Sequence, residues 1–137
     1  MRAVLDANVL VSALISRAGA PARLVELWLA GEFELVMCAT LLDEMERTLA
    51  HPKIAGRVDA DDAARFVRVL GELAEVVPDP VEPPQFHSVD PGDDYLLALA
   101  ARERVPLVSG DAHVLALAER LPISSPREFL DRLAVRP

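Results

Sequence analysis

Short runs of apolar residues alternate along this chain with segments whose apolar positions recur every three or four residues, a pattern of strands interleaved with amphipathic helices. The first run is Arg2-Ala3-Val4-Leu5. Asp6-Ala7-Asn8 punctuates it as a turn, and a helix is predicted over 9–15. A second helix spans 20–30, with Leu24, Leu27 and Trp28 on one face and Gly31 as its stop signal. A strand covers 33–38. Thr40 is then placed to cap a helix that ends at Ala50, with Pro52 beyond its end. Asp59 or Ala60 opens a helix to Glu72 that turns Ala63, Phe66, Val67 and Leu70 inward, and Glu75-Val76-Val77 forms a short strand. Pro78, Pro80, Pro83 and Pro84 crowd the loop that follows, which cannot pair as a central strand. Asp90 caps a helix running to Glu103, with Pro91 at its first position and Asp93 at its third. A strand over 105–109 turns through Gly110-Asp111 into a helix ending near Leu121. An edge strand over 123–124 precedes Ser125-Pro126-Arg127-Glu128, a capping box for a last helix through Leu133.

This alternation implies an α/β fold in three layers, with a mostly parallel central sheet flanked by helices and joined by right-handed crossovers. A length of 137 residues suits a single domain over 1–137. The proline loop resembles a linker, but the piece beyond it is close to the size below which a domain needs staples, so the loop is internal. Hydrophobic residues at 52% against 26% charged exclude a disordered tail. Cys38 has no partner for an internal disulfide and sits in an apolar run, which points to a buried hydrophobe in a reducing compartment. No run is long enough to span a membrane, and Asp6 interrupts the start too early for a signal peptide, so the expected location is cytoplasmic. A net charge of −8 argues against a broad basic surface for nucleic acid, though not against a nucleic acid held through cations.

Helices that follow strands in such a sheet begin at its carboxyl edge, where ligands of open α/β sheets bind. Asp6 ends the first strand, Asp111 opens the helix after a later one, Glu44 lies in the first turns of the helix after the second strand, and Asp93 lies in a helix's first turn. Positions i+3, i+4 and i+7 from Asp93 are Leu96, Leu97 and Ala100, which aligns its carboxylate with the buried stripe. Asp94 points about 100° away, although its own positions are also apolar. Asp111 aligns with Val114, Leu115 and Ala118. Asp43 can pair with Arg47, which leaves Glu44 as the inward acid of its helix. Any one of these acids could be a cap or a solvated side chain. Together, several inward carboxylates repel unless a divalent cation joins them, and oxygen-only ligands favour Mg²⁺ or Mn²⁺ over zinc. The histidines, His51, His87 and His113, have no metal-ligand spacing and face solvent. Carboxylate-held Mg²⁺ commonly serves hydrolysis of phosphate esters.

Four segments in order carry a resemblance. Leu5-Asp6-Ala7-Asn8-Val9-Leu10-Val11-Ser12, Leu42-Asp43-Glu44-Met45, Asp90-Pro91-Gly92-Asp93-Asp94 and Leu107-Val108-Ser109-Gly110-Asp111 resemble the motifs of PIN-domain nucleases, and Ser125 to Leu130 fits their terminal segment. The chain looks most like the stand-alone PIN toxins of type II toxin-antitoxin pairs. The resemblance implies a Mg²⁺- or Mn²⁺-dependent endoribonuclease with Asp6, Glu44, Asp93 and Asp111 as its acidic quartet and Asp94 as a rival to Asp93. It also implies that Asn8 and Ser12 orient Asp6 or a coordinated water, that Ser109 is the hydroxyl before the last acid, and that an RNA substrate, a small antitoxin protein and a homodimer are the partners. His113 stands where many relatives carry a further acid, which puts a second metal ion in question. Two other functions compete with this one. A phosphatase using Asp6 as nucleophile would want a further Asp where Asn8 stands. A catalytically weak module of the same fold would only bind an antitoxin-like partner, using Trp28 and neighbouring apolar positions.

Overall fold

Ala3, Val4 and Leu5 are almost wholly shut off from water, as are Leu35, Val36 and Met37, and Leu107 and Val108. Strands that are apolar at successive positions must be covered on both faces, which an all-parallel sheet with flanking helices achieves. The computed structural model describes residues 1–135 and has this architecture. Residues 136–137, included in the expected domain, lie outside the described residues. Five strands, β1 (Arg2–Leu5), β2 (Glu34–Met37), β3 (Glu75–Val76), β4 (Leu107–Val108) and β5 (Ile123–Ser124), form one sheet in the order β3-β2-β1-β4-β5. Every pairing is parallel, with Ala3 opposite Leu35 and Leu5 opposite Val108.

Eight helices connect and flank the strands: α1 (Ala7–Ile15), α2 (Ala20–Leu29), α3 (Ala39–Ala50), α4 (Pro52–Ala55), α5 (Ala60–Leu73), α6 (Asp94–Glu103), α7 (Ala112–Leu115) and α8 (Pro126–Ala134). α1 packs against α2 and α3, α3 against α5, and α2 against α8. Phe129 of α8 is fully buried and meets Phe33 edge to face at 5.4 Å between ring centroids. Trp28 is also in the core, 7% exposed, so it offers no docking surface, contrary to the interaction-module expectation. Among the described residues, no helix is long and apolar enough to cross a membrane.

The chain first builds the sheet outward from β1 to β2 and β3, then crosses back to place β4 on the other side of β1. That reversal puts a crevice between the carboxyl ends of β1 and β4. The opposite edge is tied by charge. Arg2 donates to Glu75 at β3's start (Nε to Oε1, 3.0 Å) and to Glu103 at the end of α6 (2.9 Å), so the ion network sits away from the crevice.

Several expected boundaries move, each for a local reason. Ala7 and Asn8 belong to α1 rather than to a turn, because Asp6 itself caps the helix. Thr40 is not the cap of α3. Cys38 holds that position, and the Thr40 N–H is taken by Asp79 Oδ1 of the proline loop at 3.0 Å, a partner 39 positions away that no local pattern could reveal. Pro52 opens the extra turn α4, with His51 Nδ1 accepting from the Lys53 N–H. The helix expected from Asp90 begins as a 3₁₀ turn over Pro91–Asp93 before α6. The helix expected from Asp111 to Leu121 is regular only through Leu115; beyond it, Leu117, Ala118 and Arg120 donate to carbonyls three residues back, as tight turns do. The capping box of Ser125 and Glu128 forms as expected.

Candidate active site at the carboxyl edge

Asp6 leaves the end of β1 at the crevice and is 2% exposed. Its Oδ1 accepts from the Asn8 N–H at 3.2 Å, the bond of a helix cap, and its Oδ2 accepts from the Ser109 hydroxyl at 2.8 Å. Ser109, fully buried after β4, accepts in turn from the Asp111 N–H at 3.0 Å. One hydroxyl therefore fixes the first carboxylate against the backbone of the last. Asp111 caps α7, its Oδ1 accepting from the His113 N–H at 2.7 Å. Burial pushes the Asp6 carboxyl up from its ordinary range, and the Ser109 and Asn8 hydrogen bonds pull the other way.

Glu44, half-buried in the second turn of α3, reaches the same region. Its carboxyl is also raised, chiefly by burial and in part by Asp6 and Asp90. Asp43 is exposed. The expected ion pair with Arg47 does not occur among the described residues; Arg47 acts instead on Glu44, favouring its charge. Asp93, at the junction of the 3₁₀ turn and α6, is pushed up to about 6 by burial, with Asp6, Asp111, Asp90 and Glu44 all adding repulsion. Asp93 thus feels each of the other three predicted acids, and Asp6 is felt by Glu44 and itself feels Asp111. Asp93 Oδ2 is buried with no hydrogen-bond partner.

Asp94 is occupied differently. Its Oδ1 accepts from the Ser88 N–H at 2.9 Å and its Oδ2 lies 2.8 Å from His87 Nδ1, and these contacts lower its pKa. No acid of the quartet is among the causes of that shift, in contrast to Asp93. Asn8 and Ser12 lie exposed on α1. Asn8 meets Asp6 through its backbone, and no side-chain hydrogen bond joins either residue to the quartet among the described residues. His87 and His113 face solvent, as expected.

One participant, Tyr95, escaped the sequence reading, and Asp90, expected as a cap, reaches further than a cap. The Tyr95 hydroxyl donates to Glu44 Oε2, holding one carboxylate oxygen from α6. Asp90 caps the turn before Asp93 by accepting from the Gly92 N–H at 2.9 Å, and its charge also reaches both Glu44 and Asp93. A signal for Tyr95 existed: it is the chain's one tyrosine and directly follows the Asp93-Asp94 pair.

The donor set suits a hard divalent cation. It offers carboxylate oxygens only, one of them buried and unpartnered, and neighbouring acids whose repulsion a cation would relieve. No three Asp, Glu, His or Cys side chains among the described residues already stand as a closed cage, so the acids would have to draw inward around an ion.

A family model described as PIN domain matches residues 2–113. Among solved structures, the chain is similar to VapBC2 from Rickettsia felis, crystallised bound to a DNA fragment from their promoter, with a TM-score of 0.63 and 14% identity over 91% of this chain and 98% of that one. It is similar also to PAE2754 from Pyrobaculum aerophilum, with a TM-score of 0.66 and 20% identity over 99% of this chain and 91% of that one. At these identities the likeness is one of fold. No curated protein matches the sequence.

Proposed function

The chain belongs to the PIN-domain family, whose members are generally nucleases, and from that premise we propose that it is a Mg²⁺- or Mn²⁺-dependent endoribonuclease acting as the toxin of a toxin-antitoxin pair. The observation that carries this reading is the buried Asp93 Oδ2, without a partner among the described residues, on a carboxylate that Asp6, Glu44 and Asp111 all repel. Asp6 and Asp93 would be the principal ligands, with Glu44 and Asp111 completing the set. A divalent cation held there would polarise a phosphodiester and acidify water for attack. The residues of the chain prepare that site. Ser109 favours the charged form of Asp6 and aims it, Tyr95 holds one oxygen of Glu44, and the caps at Asp90 and Asp111 hold the short turns that present the remaining acids.

Single-stranded RNA should be cut in Mg²⁺ or Mn²⁺ and left intact in EDTA, with full recovery when the metal is restored. Cutting that persists unchanged in EDTA overturns the proposal. Ser109→Ala should lower activity about tenfold near pH 6.5 and move the acid limb of the pH profile upward, because Asp6 loses the donor that favours its charged form. An acid limb that stays in place would remove Ser109 from this role.

The partner we assign is a small antitoxin protein, on the motif resemblance and the likeness to VapBC2, with a homodimer as the resting assembly and the cytoplasm as its location. The inert-module reading draws on His113, whose ring stands 3.8 Å from Asp111 Oδ1 at a position where many relatives have an acid. The EDTA comparison separates the two, since an inert module cuts nothing in either condition.

A further inference from the structure

A strand of RNA approaching four carboxylates needs cationic and stacking contacts close by, and the net charge of −8 leaves few places for them. Arg2, Arg23 and Arg65 are each held by acids of the same chain, and Arg102 by Glu103 and the carbonyls of Pro78 and Asp79. Among the arginines that no ion pair holds in the described residues, two lie over aromatic rings: Arg132 over the buried Phe129, and Arg120. Its guanidinium lies over the Phe86 ring, 5.5 Å from the centroid, and no carboxylate takes it among the described residues. It is exposed, in the turns that follow α7, nine positions beyond Asp111.

Phe86 belongs to a segment fastened beside the acids. His87 and Ser88 both dock on Asp94, the residue next to Asp93. The Asp90 N–H then reaches Ser88 Oγ at 3.4 Å, and Asp90 is one of the charges that repel Asp93 and Glu44. His87 and Val89 project outward, Val89 at 77% exposure. The segment therefore carries an aromatic ring, an imidazole and an apolar side chain on the stretch that docks on Asp94, with an arginine that no carboxylate takes among the described residues laid over the ring.

We infer that Phe86 and Arg120, with His87 and Val89 beside them, form the stacking surface that seats single-stranded RNA next to the acidic crevice; the inference rests on the nuclease reading above. Arginine planes and aromatic rings are what unpaired bases stack upon, and a guanidinium braced on a ring can meet a base with its free face while its N–H edge meets a phosphate. A paired helix hides its base faces, so the surface selects unpaired RNA. Asp94, on this account, is the anchor of the RNA-contacting segment.

Binding can be measured without turnover. Fluorescence anisotropy of a labelled single-stranded oligoribonucleotide in EDTA, over a series of salt concentrations, should show Arg120→Gln binding about tenfold more weakly, with the slope of log affinity against log salt reduced by about 0.7. Phe86→Leu should weaken binding severalfold and leave the slope near that of the wild type, which a folding defect would not mimic. Duplex RNA should bind more weakly than the single strand. Both variants binding like the wild type, or no single-strand binding by the wild type at low salt, overturns the surface and leaves this segment for a protein partner. Metal-dependent cutting of the same RNA by the wild type is scored separately, so the catalytic reading and the binding surface can fail independently.

Discussion

Asp93→Asn should raise the melting temperature of the metal-free protein by about 3–6 °C at pH 7.5 while abolishing metal-dependent RNA cutting. The gain arises because the wild-type carboxylate is repelled by Asp6, Asp111, Asp90 and Glu44 and has a buried oxygen without a partner. Removing one such charge is worth roughly 1 kcal/mol after solvent screening, which corresponds to a shift of this size for a domain of this length. The pH dependence has a definite sign. Asp93 ionises near 6 in the folded protein and near 3.8 when unfolded, so the wild type loses stability as pH rises from about 4 to about 6 and the penalty is complete above that window. The advantage of the Asn variant should accordingly be full above pH 6 and vanish toward pH 4. Added Mn²⁺ should stabilise the wild type and leave Asp93→Asn little changed. Thermal melts in EDTA and in Mn²⁺ at several pH values check all three statements. A variant less stable than the wild type in EDTA at neutral pH would make Asp93 a structural acceptor instead.

Asp6→Asn should cut RNA at least 100-fold more slowly, with circular dichroism and melting behaviour close to wild type. An asparagine at this position still caps α1 through its carbonyl oxygen, and its amide N–H then donates to the Ser109 hydroxyl oxygen in place of the bond Ser109 donated, so the local geometry survives. What disappears is the negative charge nearest the crevice floor, and a ligand of this kind contributes more than the outer-shell partners whose loss costs 10–100-fold. Unaltered cutting by the purified variant would take Asp6 out of the chemistry. Phosphoryl transfer to Asp6 itself, the phosphatase alternative, would be read as a phosphoryl-aspartate trapped on the wild type and absent from the variant.

The sheet was legible in the sequence because its strands are short, continuous apolar runs whose burial needs no distant information. The same holds for the capping box at Ser125, whereas the apolar stripe could not by itself separate Asp93 from Asp94, since Leu96 to Ala100 are buried at every position. The quartet could be placed on one edge because an α/β chain brings the ends of its parallel strands together. What the sequence concealed depends on contacts between remote segments. Asp79 reaching Thr40 displaced the expected helix cap, Tyr95 reached Glu44 across 51 positions, and Asp94 was drawn to His87 and Ser88 on a loop that looked merely extended. Trp28 failed as a docking residue for the converse reason: an amphipathic stripe does not say how deep its largest member will sit.

Crystals soaked in Mn²⁺ and measured at the manganese absorption edge would test convergence of the acids most directly. An anomalous peak is expected in the crevice between β1 and β4, about 2.1 Å from carboxylate oxygens of Asp6 and Asp93, with Glu44 or Asp111 close enough to coordinate or to hold a coordinated water. A peak elsewhere on the protein, or a crevice that stays without manganese at millimolar concentration, would contradict that convergence.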